Sequence, residues 1–272
     1  MKPVVHACHF LFCLSLPGVL IATGSTPQPA QNQTQTQEKV TATAIGSQPA
    51  SHTERAIEGW KVRIDDRLLK GDGAAEGEKA VKLLTSRLTA ITAVLPEKPL
   101  AALRAITIQL DLNCGDLHSM QYHPDAGWLR TNGYSEKLAK CVHIPDIDQF
   151  LSPFENHRMP WAVLHELAHG YHDQVLGFDE PRVRAAWQKF RASGKYASVL
   201  TSPGTLREHY GLTNDKEFFA EMTETYLGSN DFYPFVAGEL KQAEPEIFAL
   251  MADIWGPLPE RGGSKPAASA AK

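Results

Sequence analysis

Pro160-Trp161-Ala162-Val163-Leu164-His165-Glu166-Leu167-Ala168-His169-Gly170-Tyr171-His172-Asp173-Gln174-Val175-Leu176-Gly177 divides the 272-residue chain into two halves of different character. Pro160 suits a first helical position and Gly177 a C-terminal cap, which predicts one helix between them. Leu164, Leu167, Ala168, Tyr171 and Val175 give that helix a packing face. Before it, Trp60, Val62 and Ile64 alternate with Lys61, Arg63 and Asp65, and Ile106, Ile108 and Leu110 alternate with Thr107 and Gln109. Period two of this kind marks strands with one buried face. Between them Ala80, Val81, Leu84, Leu88, Ile91 and Leu95 recur at helical spacing up to Pro96. Further extended stretches are expected at Cys141–Ile144 and near Trp128–Arg130. After Pro160 the pattern is helical, so the fold class is α+β: a sheet with a packed helix, then a mostly helical half.

The ends bound the folded body. Residues 1–24 carry one cation, Lys2, then an apolar run closed by the small residues Ala22 and Gly24, the pattern of an export signal. Residues 25–53 are rich in Gln, Thr and Pro, too polar to offset the entropy of ordering, and read as a linker. A tail at 259–272 reads the same way, which leaves one domain at 54–258. The net charge of -4 is spread without a basic stripe, which excludes nucleic acid as a partner. Removal of the signal takes Cys8 and Cys13 with it. Cys114 and Cys141 then remain, and in an exported protein they are expected to form a disulfide.

His165-Glu166-Leu167-Ala168-His169 carries the chemistry. Histidines four apart lie one above the other on a helix, so both imidazoles converge on a point beside that face. Glu166, turned by about 100°, reaches a metal-bound water without ligating the metal. Catalytic zinc takes three protein ligands, so a third must come from elsewhere. Six residues past His169 stands Val175, where a metzincin has histidine. His172 shares the helix face but lies about 10 Å along the axis from His165. Cys114, in the place of an upstream thiolate ligand, has unsuitable neighbours. Downstream, Asn214-Asp215-Lys216-Glu217-Phe218-Phe219-Ala220-Glu221 opens a second helix on which Glu217, Glu221 and Glu224 share one face. Such a face usually meets solvent, and Glu217 could close a capping box with Asn214. The bulky pair Phe218 and Phe219 argues for burial, where carboxylates are paired or bind metal.

HELAH followed 48 residues later by EFFAE, with Tyr210 seven residues before the glutamate, resembles the catalytic domain of anthrax lethal factor and similar gluzincin peptidases. The resemblance spans about residues 155–228. It implies a zincin-like fold, one Zn2+ per chain, and zinc ligation by Glu217 together with His165 and His169. It further implies that Glu221 supports the metal shell and that Tyr210 assists the reaction. Thermolysin-like members carry aspartate where this chain has Glu221, so the likeness is to the lethal-factor branch.

On this reading Glu166 is the general base, Tyr210 shares the developing oxyanion with zinc, and Glu221 accepts the outer N–H of a zinc-bound histidine. Tyr122, His123 and Trp128 are candidate cleft residues. The expected protein is a zinc metallopeptidase, an endopeptidase before an exopeptidase, acting on a peptide or protein. It is secreted or periplasmic, without stable membrane association once the signal is removed. The rival expectations are a zinc-binding protein without turnover and a zinc hydrolase of a non-peptide bond.

Overall fold

The computed structural model describes residues 47–258; the expected signal, most of the linker and the tail lie outside them. The chain runs β1 (His52–Ile57), β2 (Trp60–Asp65), α1 (Ala74–Val94), α2 (Glu97–Arg104), β3 (Thr107–Leu110), β4 (Gln121–Tyr122), α3 (Ala126–Thr131), β5 (Cys141–Ile144), α4 (Ile147–Leu151), α5 (Pro153–Arg158) and α6 (Ala162–Tyr171). It continues with α7 (Pro181–Ala192), the short hairpin β6 (Val199–Leu200) and β7 (Leu206–Arg207), α8 (Asp215–Leu227), α9 (Ala237–Ala243) and α10 (Pro245–Trp255). This is an α+β architecture. The main sheet has the order β1-β2-β3-β5-β4, with β2, β3 and β5 parallel and both edge strands antiparallel.

The alternation read from the sequence sorts the sheet into two unlike faces. Val62, Ile64, Ile108, Leu110, Val142 and Ile144 share one core with Leu84 and Leu88 of α1 and with Leu164, Leu167 and Ala168 of α6. Gly170 lets α6 approach closely, since a Cβ there would stand 2.6 Å from Ile106 Cδ1. The opposite face carries Asp65, Gln109, Asp111 and His143, all buried. The segment 113–140 covers it through a small cluster of Cys114, Leu117, Leu129, Tyr134 and Leu138.

Asp111 is the hub of that polar face. Its carboxylate accepts from His52 Nε2 at 2.7 Å, His143 Nε2 at 2.8 Å and Gln109 Nε2 at 2.9 Å. Burial raises its pKa, but the hydrogen bonds from His143 and His52 overcome this and hold it down to about 2. A group depressed in the folded state stabilises fully above its unfolded pKa, about 3.9, and loses that contribution as pH falls through about 2. Asp111→Asn is therefore expected to cost roughly 3 kcal/mol near neutral pH, the size of breaking a buried charged pair. Thermal melts of both proteins should show that difference shrinking between pH 4 and pH 2.

Four expectations are corrected here. Residues 47–53 belong to the fold: Ser47 O accepts from Gly115 N at 2.8 Å and β1 begins at His52, inside the expected linker. Trp128–Arg130 is helical, because Asp125 caps α3 by accepting from Gly127 N at 2.7 Å. Pro160 lies in the turn before α6, and the helix ends in a widened turn at His172–Leu176 before Gly177. Cys114 and Cys141 are free. Cys141 pairs with Thr107 at one end of β5, whereas Asn113, beside Cys114, pairs with Asp146 beyond the other end. Five residues of strand separate those positions by roughly 16 Å, against the 7 Å limit for bridged Cα atoms.

Candidate metal centre

Two helices build the site. On α6 the rings of His165 and His169 sit at 4.8 Å in an edge-on arrangement, both buried. On α8, Asn214 caps the first turn by accepting from Lys216 N and Glu217 N at 2.9 Å each. The Glu217 side chain turns inward, and Oε2 lies 3.2 Å from His165 Nε2 and 3.3 Å from His169 Nε2. Residues 217–227 are buried throughout, so the three-acid face of α8 points into the protein against α6.

His165 is held from behind. Its Nδ1–H donates to Glu224 Oε1 at 2.7 Å, and its Nε2 faces Glu217. One carboxylate oxygen and two ring nitrogens thus converge, an arrangement that a proton or a metal cation shared among them would satisfy. For Zn–N and Zn–O bonds near 2.0–2.2 Å at a tetrahedral angle, ligand atoms should stand about 3.3 Å apart. The observed 3.2 and 3.3 Å meet that spacing, and the His, His, Glu donor set is one that zinc accepts. The residues present fit the metal.

Electrostatics agree. Burial raises the Glu217 carboxyl, but His169 and His165 hold it well below the usual range. Burial lowers His165, while Glu217 and Glu224 drive it well above an ordinary histidine. Carboxylates that attract a proton to this imidazole attract a divalent cation to the same place. Glu166 is raised by burial, against the pull of His169 and His165. Its Oε2 accepts from Tyr122 N at 2.8 Å, so β4 sets the position of the carboxylate.

The outer partner of His165 is Glu224, which corrects the expectation for Glu221. Glu221 Oε1 is farther from the same nitrogen, at 3.7 Å, and burial with Asp231 and Glu224 nearby pushes its pKa well up. Glu224→Ala is therefore expected to weaken zinc binding about 10- to 100-fold, and Glu221→Ala clearly less, in a competitive chelator titration.

Tyr210 lies in a one-turn helix at Tyr210–Leu212, half-buried, its ring 6.5 Å from that of His165. Buried His209 anchors the turn, accepting from Gly211 N at 3.0 Å and packing against Phe190 and Phe232. His172 is no ligand: it is wedged between Phe178 and Phe219, and burial lowers its pKa to about 4. His123 and Trp128 stack on each other under the polar face of the sheet, away from the site. Tyr122 contributes its backbone to Glu166 and its hydroxyl to Asp173 Oδ2 at 2.7 Å.

Donor atoms come within 4.8 Å of one another in three groups among the described residues: His165, Glu166 and His169; His165, Glu221 and Glu224; and Asp111, Cys114 and His143. In the last the His143–Asp111 separation is 2.8 Å, a hydrogen-bond length shorter than a ligand spacing. The metal-like spacing belongs to His165, His169 and Glu217. Beside them opens a cleft of about 270 Å³, with His165, Glu166, Met120, Phe150 and Met159 among the residues of its wall. No family model, curated protein or solved structure matches the chain.

Proposed function

We propose that this chain is a zinc-dependent peptidase with a zincin-like fold, of the gluzincin kind, holding one Zn2+ through His165, His169 and Glu217. The observation that carries the proposal is the single Glu217 oxygen 3.2 and 3.3 Å from two imidazole nitrogens, with Glu166 beside a cleft. Bound zinc supplies Lewis acidity and makes water ionise near neutral pH. Glu217 and the two imidazoles bind the ion, and Glu224 orients His165. Glu166, with Oε2 anchored by Tyr122 N–H, keeps its other oxygen to take a proton and return it to the leaving amine. Tyr210, on the His165 side, offers a hydroxyl to the oxyanion that forms at the scissile carbonyl.

The substrate is a peptide or protein lying in the cleft, cut internally. Export is inferred from residues 1–24 alone, which places the protein in a secreted or periplasmic setting. No helix among the described residues is long and apolar enough to cross a membrane. Digestion of a mixed peptide library by the zinc-loaded chain tests the proposal. Cleavage that stops on chelation and returns with zinc is expected. An intact library with zinc bound would leave a binding protein, or a hydrolase of another bond.

A further inference from the structure

Among the described residues, the cleft wall carries one cation that no carboxylate neutralises. Arg87 extends from α1 into its wall, half-buried, and Nη2 donates to Asn156 Oδ1 at 2.9 Å. Among the described residues no carboxylate pairs with it, and burial alone pulls its pKa down. The other charged groups nearby are matched, Glu221 Oε2 excepted. Arg158 holds Glu155 at 2.7 Å and Asp231 at 3.0 Å. His118 holds Asp146 at 2.7 Å, and Glu224 is taken by His165. A guanidinium presents five donors in a planar fork, of which Asn156 occupies one. The apolar side chains that line the same cleft, among them Phe150, Met159 and Val163, strengthen any charge-assisted bond formed there.

Resting on the peptidase reading, we propose that Arg87 is a specificity residue that receives a carboxylate of the peptide lying in the cleft. A half-buried arginine with no acid in the fold is suited to a bidentate carboxylate from outside it. The carboxylate is either an acidic side chain at a fixed distance from the cut bond or the C-terminus of a short product-side segment. Asp146, Glu155, Glu166, Glu221 and Glu224 also line the cleft, so the preference is for one carboxylate at one position and against polyanionic segments. A purely structural Arg87 would only tie α1 to α5 through Asn156.

Binding without turnover tests this. The zinc-loaded Glu166→Gln chain is equilibrated with two peptide libraries. One is amidated and carries glutamate at varied positions. The other has free C-termini and no acidic side chains. Amidated neutral peptides serve as the reference, and retained peptides are read by mass spectrometry. Retention of carboxylate-bearing peptides from one library at about tenfold or more over the reference is expected, the scale of a hydrogen bond between charged groups. It should be lost when Arg87→Gln is added and partly kept with Arg87→Lys, with circular dichroism melts confirming that each variant folds. Equal retention of acidic and neutral peptides, or a preference that survives Arg87→Gln, overturns the proposal. Failure of the peptidase reading shows separately, as a wild-type chain that cuts none of these peptides while its binding preference is intact.

Discussion

Glu217→Ala is expected to lose both the metal and the activity. The zinc content of the purified variant should fall from one per chain to near zero, and hydrolysis with it. The reason lies in the geometry: Glu217 Oε2 stands 3.2 and 3.3 Å from the two imidazole nitrogens, and its removal leaves two ligands on one helix face. Catalytic zinc sites hold the ion with three protein ligands, and two neutral imidazoles bring no charge to balance it. Inductively coupled plasma mass spectrometry on matched preparations measures the metal, and library digestion measures turnover. A Glu217→Ala chain that keeps tight zinc would move the third ligand elsewhere. His172→Ala should retain zinc, because its ring is packed between Phe178 and Phe219.

Glu166→Gln should separate the two properties. The amide keeps the shape of the side chain and can still accept from Tyr122 N, so zinc content stays near one per chain. It cannot take a proton, and general-base catalysis typically contributes 10²–10⁴-fold, so turnover should fall by at least about a thousandfold. The measurement is initial rate against zinc content on the same sample. A variant that retains more than a tenth of the wild-type rate would place the base at another residue.

The site was legible where helix geometry dictates it. His165, Glu166 and His169 follow from a spacing of four on one helix, and α8 follows from its Asn214 cap and its paired phenylalanines. Spacing does not choose between Glu221 and Glu224. They stand three apart on one face of α8, and only the packing of α8 on α6 brings Glu224 to 2.7 Å from His165 Nδ1 and leaves Glu221 at 3.7 Å. Arg87 left no trace in the sequence, since an arginine on an amphipathic helix reads as solvated until α5 and the cleft are placed beside it.

The fold shows the same division. β2, β3, β5 and α1 carry buried side chains at strand or helix period and were readable. β1 has four exposed residues in a row, Thr53–Ala56, and is held by backbone pairing to β2, so no apolar pattern reveals it. α3 is a short helix started by an Asp125 cap in a stretch expected to be extended. The cysteine pairing failed because composition and compartment say nothing about distance, and strand register places Cys141 at one end of β5 and Asn113, the neighbour of Cys114, beyond the other.

Anomalous diffraction at the zinc absorption edge, on crystals of the full chain purified with zinc, tests the metal centre most directly. One strong peak is predicted, within bonding distance of His165 Nε2, His169 Nε2 and Glu217 Oε2 and of no other side-chain donor. A zinc-containing crystal with no peak between α6 and α8, or with its peak at Asp111, Cys114 and His143, would contradict the account.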